Sequence, residues 1–358
     1  MRHAPRTGAL ATILMGCSGC LGWPAPESWG NSRSLQPAEL WYAGTALCGF
    51  SHEQLKASAR TSPEIFASTS SLVAISDVAM DATGNVWVVG PGSDKVLRFS
   101  AEALRLPPEG PNTPVQAQPD LVIQSAALKS PGNLAFDADG ALWVANRQSD
   151  GSSAADDGSV VKFDIPIGQS GMQVLDPTVR ITSTKSGDLF EIGSIAFDGA
   201  QNLWLTSFVG LLRFDDPRSR TGDVALTPSA VVEKTGYPNN LYFYSVAFDA
   251  GGALWAASSD GLHYLTSVTE FKDPGSLNGR SSPAAAGTIT GEPDLLPAGG
   301  LAFDSARNLW MATGVSILMY SEPGELSGMA NPAPAITLDL VGKAAPSTNT
   351  HLVLLQGG

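Results

Sequence analysis

A short cassette that recurs five times constrains the fold more than any other feature of this sequence. Each copy is an apolar stretch that ends in aspartate, and a tryptophan stands six positions after that aspartate. The five pairs are Asp81 and Trp87, Asp137 and Trp143, Asp198 and Trp204, Asp249 and Trp255, and Asp304 and Trp310. The aspartates recur every 51 to 61 residues, a period that is typical of repeat architectures.

Each cassette has the pattern of a β-hairpin. Apolar residues alternate on both sides of a tight loop, in which Gly84, Gly140 and Gly252 can adopt positive φ. We expect the aspartate carboxylate to accept backbone N–H groups across this loop, and the tryptophan to fill the wedge between neighbouring sheets. The pattern therefore indicates structural roles for these aspartates and tryptophans.

Two further apolar segments follow each hairpin. The predicted third strands are residues 96–100, 160–164, 211–215, 262–265 and 317–321. A fourth apolar segment, such as residues 121–124 or 229–233, precedes the next cassette. Four antiparallel strands in each repeated unit predict the blades of a β-propeller.

The two ends of the chain together supply one further unit. Residues 40–43 and 47–50 match a tryptophan strand and a third strand, but no cassette-like first strand precedes them. Residues 351–355 run in register with residues 133–137. We therefore expect an all-β, six-bladed β-propeller of four-stranded antiparallel blades over residues 35–358. The C-terminal strand completes the N-terminal blade, because such closure leaves no open sheet edge.

The cassette, written AFD-x-x-G-N-L-W-V, resembles that of the NHL-type six-bladed propellers and of their relatives, the gluconolactonase and regucalcin group and the streptogramin lyases. The resemblance covers about residues 35–358 and is specific for the fold. This fold hosts enzymes, sensors and scaffolds alike, so the resemblance implies no single activity. It does imply that ligands meet the face formed by loops entering the first strands and loops joining the second and third strands.

The resemblance also implies where a catalytic metal would lie. In the lactonase relatives, a divalent cation is held over the central channel by side chains about five residues before the cassette aspartate. The matching positions here are Ser76, Gly132, Gly193, Tyr244, Gly299 and Thr350. None is a good ligand for a hard cation, so we expect no such metal site and no cofactor. The two histidines and the glutamate of the streptogramin lyases are not matched by His52, His263 or His351 either.

One position further along, three polar residues are expected on consecutive blades at the channel mouth. They are Asp77, Asn133 and His351. Such a cluster could bind a divalent cation or a polar ligand, or His351 could act as a base that Asp77 orients. The alternative is that these side chains hydrogen-bond strand ends and water in the channel.

The longest loop between a second and a third strand offers other candidates on the same face. It starts at Asn146, a candidate ligand-binding residue, and ends at Ser159. Asp150, Asp156 and Asp157 within it are candidate calcium ligands, although their spacing is not that of an EF-hand. A solvated loop is the alternative.

Two further loops carry aromatic, amide and carboxylate groups beside the channel. The candidates there are Glu191, Asn240, Tyr242 and Tyr244. Tyrosine and asparagine together suit a peptide or sugar ligand. The alternative is that these residues pack between blades.

The first residues have the pattern of an export signal. Arg2 and Arg6 precede an apolar run that is far shorter than the roughly 20 residues that span a bilayer. The sequence Leu-Met-Gly-Cys at 14–17 resembles the bacterial lipobox. Residues 1–16 are therefore predicted to be a lipoprotein signal peptide, and Cys17 is predicted to be lipidated.

Residues 17–34 have the Gly-, Ser- and Pro-rich composition of a flexible tether. Cys20 is a second candidate for the lipidated residue. The alternative is ordinary secretion with a disulfide that joins Cys20 to either Cys17 or Cys48. Ser18 follows Cys17, and the absence of aspartate at that position favours the outer membrane, on its periplasmic or surface side.

The charge of the chain limits its partners. The formal net charge is −13, and removal of residues 1–16, with two arginines and no acids, makes it −15. Such a body repels nucleic acid and anionic lipid, so the lipid anchor is the only membrane contact that we expect. The sequence favours a monomeric, non-catalytic propeller that binds an envelope protein, peptide or glycan. The alternative is a metal-dependent hydrolase or lyase related to the lactonases, with its chemistry at Asp77, Asn133 and His351.

Overall fold

The structure is a computed structural model that describes residues 40–43, 47–61, 63, 65–67, 72, 74–105, 115–147, 158–166, 168–233, 242–259, 266–290, 299–313, 316–340 and 351–354. Within these ranges the chain forms thirty β-strands and three short 3-10 turns. The turns are Pro217–Ser219, Pro274–Ser276 and Pro323–Glu325. The strands form six five-stranded sheets that share one strand order.

Each sheet is ordered from the central channel outwards. The innermost strands are β5 (Asp77–Met80), β10 (Pro131–Phe136), β15 (Ser194–Phe197), β20 (Tyr242–Phe248), β25 (Gly300–Phe303) and β30 (His351–Leu354). The second strands are β1 (Leu40–Ala43), β6 (Val86–Val89), β11 (Leu142–Asn146), β16 (Leu203–Ser207), β21 (Leu254–Ser259) and β26 (Leu309–Ala312). The third strands are β2 (Leu47–Phe50), β7 (Lys95–Phe99), β12 (Ser159–Phe163), β17 (Gly210–Phe214), β22 (Thr266–Phe271) and β27 (Ser316–Tyr320).

The outer positions hold shorter strands. The fourth strands are β4 (Ile65–Ala67), β9 (Leu121–Gln124), β14 (Val179–Ser183), β19 (Ala230–Glu233), β24 (Gly287–Ile289) and β29 (Ile336–Leu340). The fifth strands are β3 (Ala59–Thr61), β8 (Val115–Gln116), β13 (Gly171–Val174), β18 (Gly222–Leu226), β23 (Gly279–Ser281) and β28 (Gly328–Ala330).

The innermost strands pack side by side around a common centre. In chain order each contacts the next, from β5 to β30, and β30 also contacts β5. Strand β30 pairs antiparallel with β1, with Ala43 opposite His351. The chain is therefore an all-β propeller, and this part of the sequence prediction is confirmed.

Each sheet has five strands, whereas the sequence predicted four. The fifth strand is parallel to the fourth and comes from the following repeat, from the connection between its third and fourth strands. Strand β18, for example, pairs with β14 before the chain continues into β19. Four of these strands begin at a glycine with positive φ, namely Gly171, Gly222, Gly279 and Gly328. The fifth strand covers the edge of the preceding sheet. Its residues are mostly exposed, so the sequence of this strand shows no alternation of apolar and polar residues.

One predicted third strand is wrong. The apolar residues 262–265 suggested the third strand of the fourth cassette, but that strand is Thr266–Phe271. The pairing register identifies the correct segment, because in each comparable sheet an aromatic residue of the third strand lies opposite the residue before the tryptophan. Leu254 pairs with Phe271 in this sheet, as Leu142 pairs with Phe163 in another.

The cassette aspartate and tryptophan are joined by a hydrogen bond. In the second cassette, Asp137 Oδ1 accepts the backbone N–H groups of Asp139 (3.0 Å) and Ala141 (2.9 Å), and Oδ2 accepts the indole N–H of Trp143 (2.9 Å). The indole bond recurs in the other four cassettes at 2.8, 3.1, 3.0 and 2.9 Å. This carboxylate clamp explains the fixed spacing of six, and the predicted structural roles are confirmed.

The same tryptophans connect adjacent sheets. Trp143 is fully buried, and its ring meets Phe197 of the next sheet edge-on, with centroids 5.5 Å apart. Three other pairs repeat this contact, namely Trp87 with Phe136, Trp204 with Phe248, and Trp255 with Phe303. The phenylalanine of each such pair belongs to the AFD segment of the next cassette, so this motif supplies both the clamp and the contact between sheets.

The clamp makes a testable contribution to stability. Replacing Asp137 with alanine leaves two backbone donors and one indole donor without their acceptor, so Asp137→Ala should lower the free energy of unfolding by about 2–4 kcal/mol. Urea denaturation measures this change. The neighbouring Asp139→Ala is the control, because that side chain is 73% exposed and makes only a surface ion pair with Arg218. Equal losses in the two variants would contradict the role assigned to the clamp.

Candidate functional site

Asp77 joins two innermost strands at the channel mouth. Its side chain is buried, Oδ1 accepts the N–H of Val78 (2.8 Å), and Oδ2 accepts the N–H of Leu134 on the next sheet (2.8 Å). The Ser194 hydroxyl receives the N–H of Val246 in the same way between two other sheets, at 3.3 Å. These bonds favour the structural interpretation of Asp77, in which it ties strand ends together.

Asn133 occupies the equivalent position on β10 and behaves differently. Its side chain is 0% exposed, and neither Oδ1 nor Nδ2 has a hydrogen-bond partner among the described residues. Burying an amide without partners costs free energy, and such groups are rare in folded proteins. Because these atoms are not accessible to solvent in this conformation, a water molecule or a polar ligand group would reach the amide only after a local movement.

Arg147 lies beside Asn133 and was missed by the sequence reasoning. A Cβ at Gly132 would overlap the arginine Nε and lie 2.6 and 2.7 Å from its Cγ and Cδ, so the side chain crosses the open space that the glycine leaves. The Nε is buried without a partner in the described part of the chain. Burial lowers the pKa of Arg147, while the charges of Asp77 and Glu191 raise it. The guanidinium thus brings a positive charge to the mouth.

Glu191 lies on the loop that leads into β15. Its backbone has φ +54°, which is uncommon outside glycine, and its side chain is exposed. Its charge acts on the Arg147 guanidinium, so the structure brings Glu191, Asp77 and Asn133 together around a residue that none of the sequence patterns singled out.

Asn146 has a different role from the predicted one. Its Oδ1 accepts the N–H of Lys129 (2.9 Å), and its Nδ2 donates to Ala127 O (2.9 Å) and Ser159 Oγ (3.0 Å). The side chain is buried, and these three bonds hold the loop before β10 against β11 and β12. Asn146 is placed as a structural residue.

Phe190, Phe208 and Tyr242 form an aromatic patch on the same face, and Tyr244 follows two residues after Tyr242 on β20. Phe208 packs on Phe190 and on Tyr242, with ring centroids 5.8 and 5.7 Å apart. Phe208 and Tyr244 are 40% and 38% exposed, which is high for aromatic side chains. Tyr242 and Tyr244 were predicted candidates. Phe190 lies in the same loop as the predicted candidate Glu191, and Phe208 lies in the short turn between β16 and β17.

Two β-bulges shape the mouth. The pairing of β10 with β11 shifts register at Gly132, and that of β20 with β21 shifts at Tyr244. Bulges redirect side chains and are frequent beside functional sites. Gly132 leaves space for Arg147, and Tyr244 projects outwards. Gly193 lies between them in the ring, where a Cβ would stand 3.1 Å from the Tyr244 carbonyl oxygen.

The donor set at the mouth does not fit the divalent cation of the lactonase relatives. The Ser76 hydroxyl lies 3.3 Å from the carbonyl oxygens of Val89 and Pro131, and the Arg147 guanidinium covers Gly132. A guanidinium repels a metal cation at short range. Within the ranges that the structure describes, no three His, Cys, Asp or Glu side chains are grouped closely enough to hold a metal ion.

The structure does not describe several of the predicted residues. Asp150, Asp156, Asp157, Asn240, Cys17 and Cys20 lie outside the described residues, as does the side chain of His351. Cys48 is described. It is buried on β2, and burial raises the pKa of its thiol to about 12, so little reactive thiolate forms at neutral pH.

A second concave region lies at the opposite end of the sheets. It is a cleft of about 460 Å³ between the hairpin loop after Asp198 and the turn that begins at Pro274. Arg213 lines it, but this guanidinium already donates to Asp215, Ser229, Pro274 and Gly275. The cleft is therefore a joint between two sheets whose polar groups are already paired, and the channel mouth is the better candidate.

Comparison with known proteins does not assign the chain to a family. No family model and no curated protein matches it. Among solved structures, similarity extends to the aldose sugar dehydrogenase of Streptomyces coelicolor in its PQQ-bound form (13% identity, 83% of this chain, 85% of that one, TM-score 0.48). It also extends to virginiamycin B lyase of Staphylococcus aureus (14% identity, 71% of this chain, 68% of that one, TM-score 0.36).

A third similar structure is the extracellular domain of a proposed hybrid two-component system of Bacteroides thetaiotaomicron (14% identity, 71% of this chain, TM-score 0.44). The present chain spans 30% of the length of that structure. At these levels of identity and TM-score, the similarities do not bear on activity. No helix in the described part of the chain is long and apolar enough to cross a membrane.

The two buried asparagines give a matched test of the site. Asn133→Ala removes an amide that has no partner, so it should change the free energy of unfolding by less than about 1 kcal/mol. Asn146→Ala removes an amide that makes three bonds and should cost about 2 kcal/mol or more. Thermal and urea unfolding of both variants measures the difference. Equal destabilisation would mean that Asn133 serves the fold and is not reserved for a ligand.

Proposed function

We propose that the chain is a non-catalytic binding propeller that holds a polar ligand with an apolar face, such as a glycan or a peptide, at the channel mouth. In this proposal the six sheets are the six blades of one ring, which the pairing of β30 with β1 closes. The observation that carries the proposal is the aromatic patch with its exposed Phe208. Phe190 of this patch is the residue before Glu191, whose charge acts on the Arg147 guanidinium.

The chemistry of these groups suits one kind of ligand. Exposed aromatic rings offer flat apolar surfaces on which sugar rings or peptide side chains can stack. An amide has both donor and acceptor atoms, and a guanidinium has several donors in a fixed plane. Binding sites commonly combine apolar walls with a few polar groups of this kind. Asp77 and Glu191 balance the charge of Arg147, so the site favours a neutral or zwitterionic ligand over a strongly charged one.

A hydrolase or lyase is the weaker candidate. It would need either a metal ion near the Arg147 guanidinium or a His351 base that Asp77 orients. Each carboxylate oxygen of Asp77 already accepts a backbone N–H. These contacts favour a structural role for Asp77 over a role in orienting a catalytic base.

The proposed cellular setting follows from the N-terminal sequence. We propose that the propeller is exported, that Cys17 carries the lipid, and that residues 17–34 hold the folded part away from the outer membrane. In this setting the ligand is an envelope protein, a peptide or a glycan, and the membrane contact is the anchor alone. Labelling with a lipid precursor, in the wild type and in Cys17→Ser, tests the anchor.

Binding at the mouth can be tested by screening the purified chain on an oligosaccharide array and a peptide library. For a ligand so identified, Tyr244→Ala and Phe208→Ala should each raise the dissociation constant by about tenfold or more, since each removes a stacking surface. Calorimetry gives the constants, and EDTA should not change them. Met329→Ala is the control, because this residue is 83% exposed on an outer strand. If Met329→Ala weakens binding as much as the aromatic variants do, the ligand does not bind at the mouth.

A further inference from the structure

A cation lies over the tryptophan in three of the six sheets. The residue directly opposite each of these tryptophans on the third strand is Arg98, Lys162 or Arg213. Their charged groups lie 5.5, 6.0 and 5.7 Å from the centroids of the rings of Trp87, Trp143 and Trp204. Attraction between a cation and the negative face of an aromatic ring stabilises this arrangement.

Two of these cations also bind the following repeat. Arg213 Nη1 donates to the carbonyl oxygens of Pro274 and Gly275, both at 3.1 Å, in the 3-10 turn of the next repeat. Arg98 Nη2 similarly donates to the carbonyl oxygen of Gln169, at 2.7 Å. The cation therefore lies between a tryptophan and backbone oxygens from the adjacent unit, and it links the two.

The sheet of β20, β21 and β22 has the opposite charge at this position. The residue opposite Trp255 is Glu270, which is 2% exposed. Its Oε1 lies 3.9 Å from the position of a Cβ on Gly324, and its Oε2 lies 3.4 Å from the position of a Cβ on Gly287. Gly324 belongs to the turn Pro323–Glu325, which corresponds to Pro274–Ser276 in the preceding unit.

The carboxylate of Glu270 has no direct hydrogen-bond or ion-pair partner among the described residues. Oε2 is buried and has no hydrogen-bond partner among the described residues. Burial raises the pKa of this carboxyl, the charge of Lys272 lowers it, and the charge of Asp249 raises it further. Asp249 is held by the clamp to Trp255, and Lys272 is exposed, with no described ion pair to Glu270. The carboxylate of Glu270 lies opposite Trp255 and near the turn Pro323–Glu325. The corresponding turn of the preceding unit presents backbone carbonyl oxygens to Arg213. A positive charge between the carboxylate and such oxygens would therefore stabilise the folded protein.

We propose that Glu270 and the carbonyl oxygens of the Pro323–Glu325 turn form a binding site for a calcium ion, which replaces the arginine side chain of the preceding sheet. Calcium takes carboxylate and backbone carbonyl oxygens in flexible geometry, whereas magnesium demands a stricter octahedron and retains more of its water. The bound ion links two adjacent repeats, as Arg213 does. The site belongs to the joint between sheets and is independent of ligand binding at the channel mouth.

The test compares thermal unfolding of the full chain in EDTA and in millimolar calcium chloride. Calcium should raise the unfolding midpoint of the wild type by about 3 °C or more, because it binds the folded state selectively. Glu270→Gln and Glu270→Lys should not respond. The lysine variant places an ammonium where Lys162 stands in another sheet, so in EDTA it should unfold at or above the wild-type midpoint. Asp223→Asn, at a side chain that is 79% exposed, is the control and should respond like the wild type.

Three results would overturn the proposal. One is a wild-type midpoint that calcium does not change. Another is a calcium response that persists in Glu270→Gln. The third is a calcium response that appears only in Lys272→Gln, together with destabilisation of that variant in EDTA, which would show that the Lys272 ammonium neutralises Glu270 in the wild type. Because Glu270→Lys carries its own cation, its folding in EDTA separates loss of the ion from failure to fold.

Discussion

The bond between the cassette aspartate and tryptophan organises this protein. One carboxylate closes the hairpin loop through backbone N–H groups and fixes the indole through its second oxygen, as at Asp137 and Trp143. The fixed indole then meets the phenylalanine of the next cassette, so local hairpin geometry and contact between sheets depend on the same side chains. Repetition of this unit gives a scaffold in which neighbouring sheets are joined by equivalent contacts.

The contacts of the cassette aspartates, tryptophans and phenylalanines that hold the sheets together do not involve the exposed side chains of the loops at the channel mouth. Most buried polar groups along the inner strands are engaged, as Asp77 and Ser194 are by the strands of the next sheet. Asn133 and the Nε of Arg147 depart from that rule. Phe208, between β16 and β17, and Tyr244, on β20, expose their rings. Unpartnered polar atoms and exposed aromatic surface are both costly for a free protein, and a bound ligand would offset that cost.

The sequence predicted the repeats well and the site only in part. Strands that bury apolar residues, such as Leu121–Gln124, are visible in the sequence as alternating apolar residues. The strand Gly171–Val174 is not visible in this way, because Met172 is 62% exposed. This strand also pairs in parallel with a segment fifty residues earlier in the chain. The strand Thr266–Phe271 was misplaced because the apolar residues 262–265 come earlier in the chain than the segment that pairs with Leu254 and Trp255. Arg147 could not be found, since its position depends on the space over Gly132 that a bulge creates. Tyr242 and Tyr244 were predicted as candidates on a long loop, whereas in the structure they lie at the start of β20.

The proposed function requires that a ligand binds at the channel mouth. Hydrogen–deuterium exchange of the chain, with and without the glycan or peptide selected by screening, tests this binding. We expect slower exchange, on ligand binding, in residues 131–134, 190–193, 207–209 and 242–245, with no change in the outer strands. Protection confined to the outer strands, such as residues 171–174 or 328–330, would contradict it and would place the interaction on the rim of the propeller.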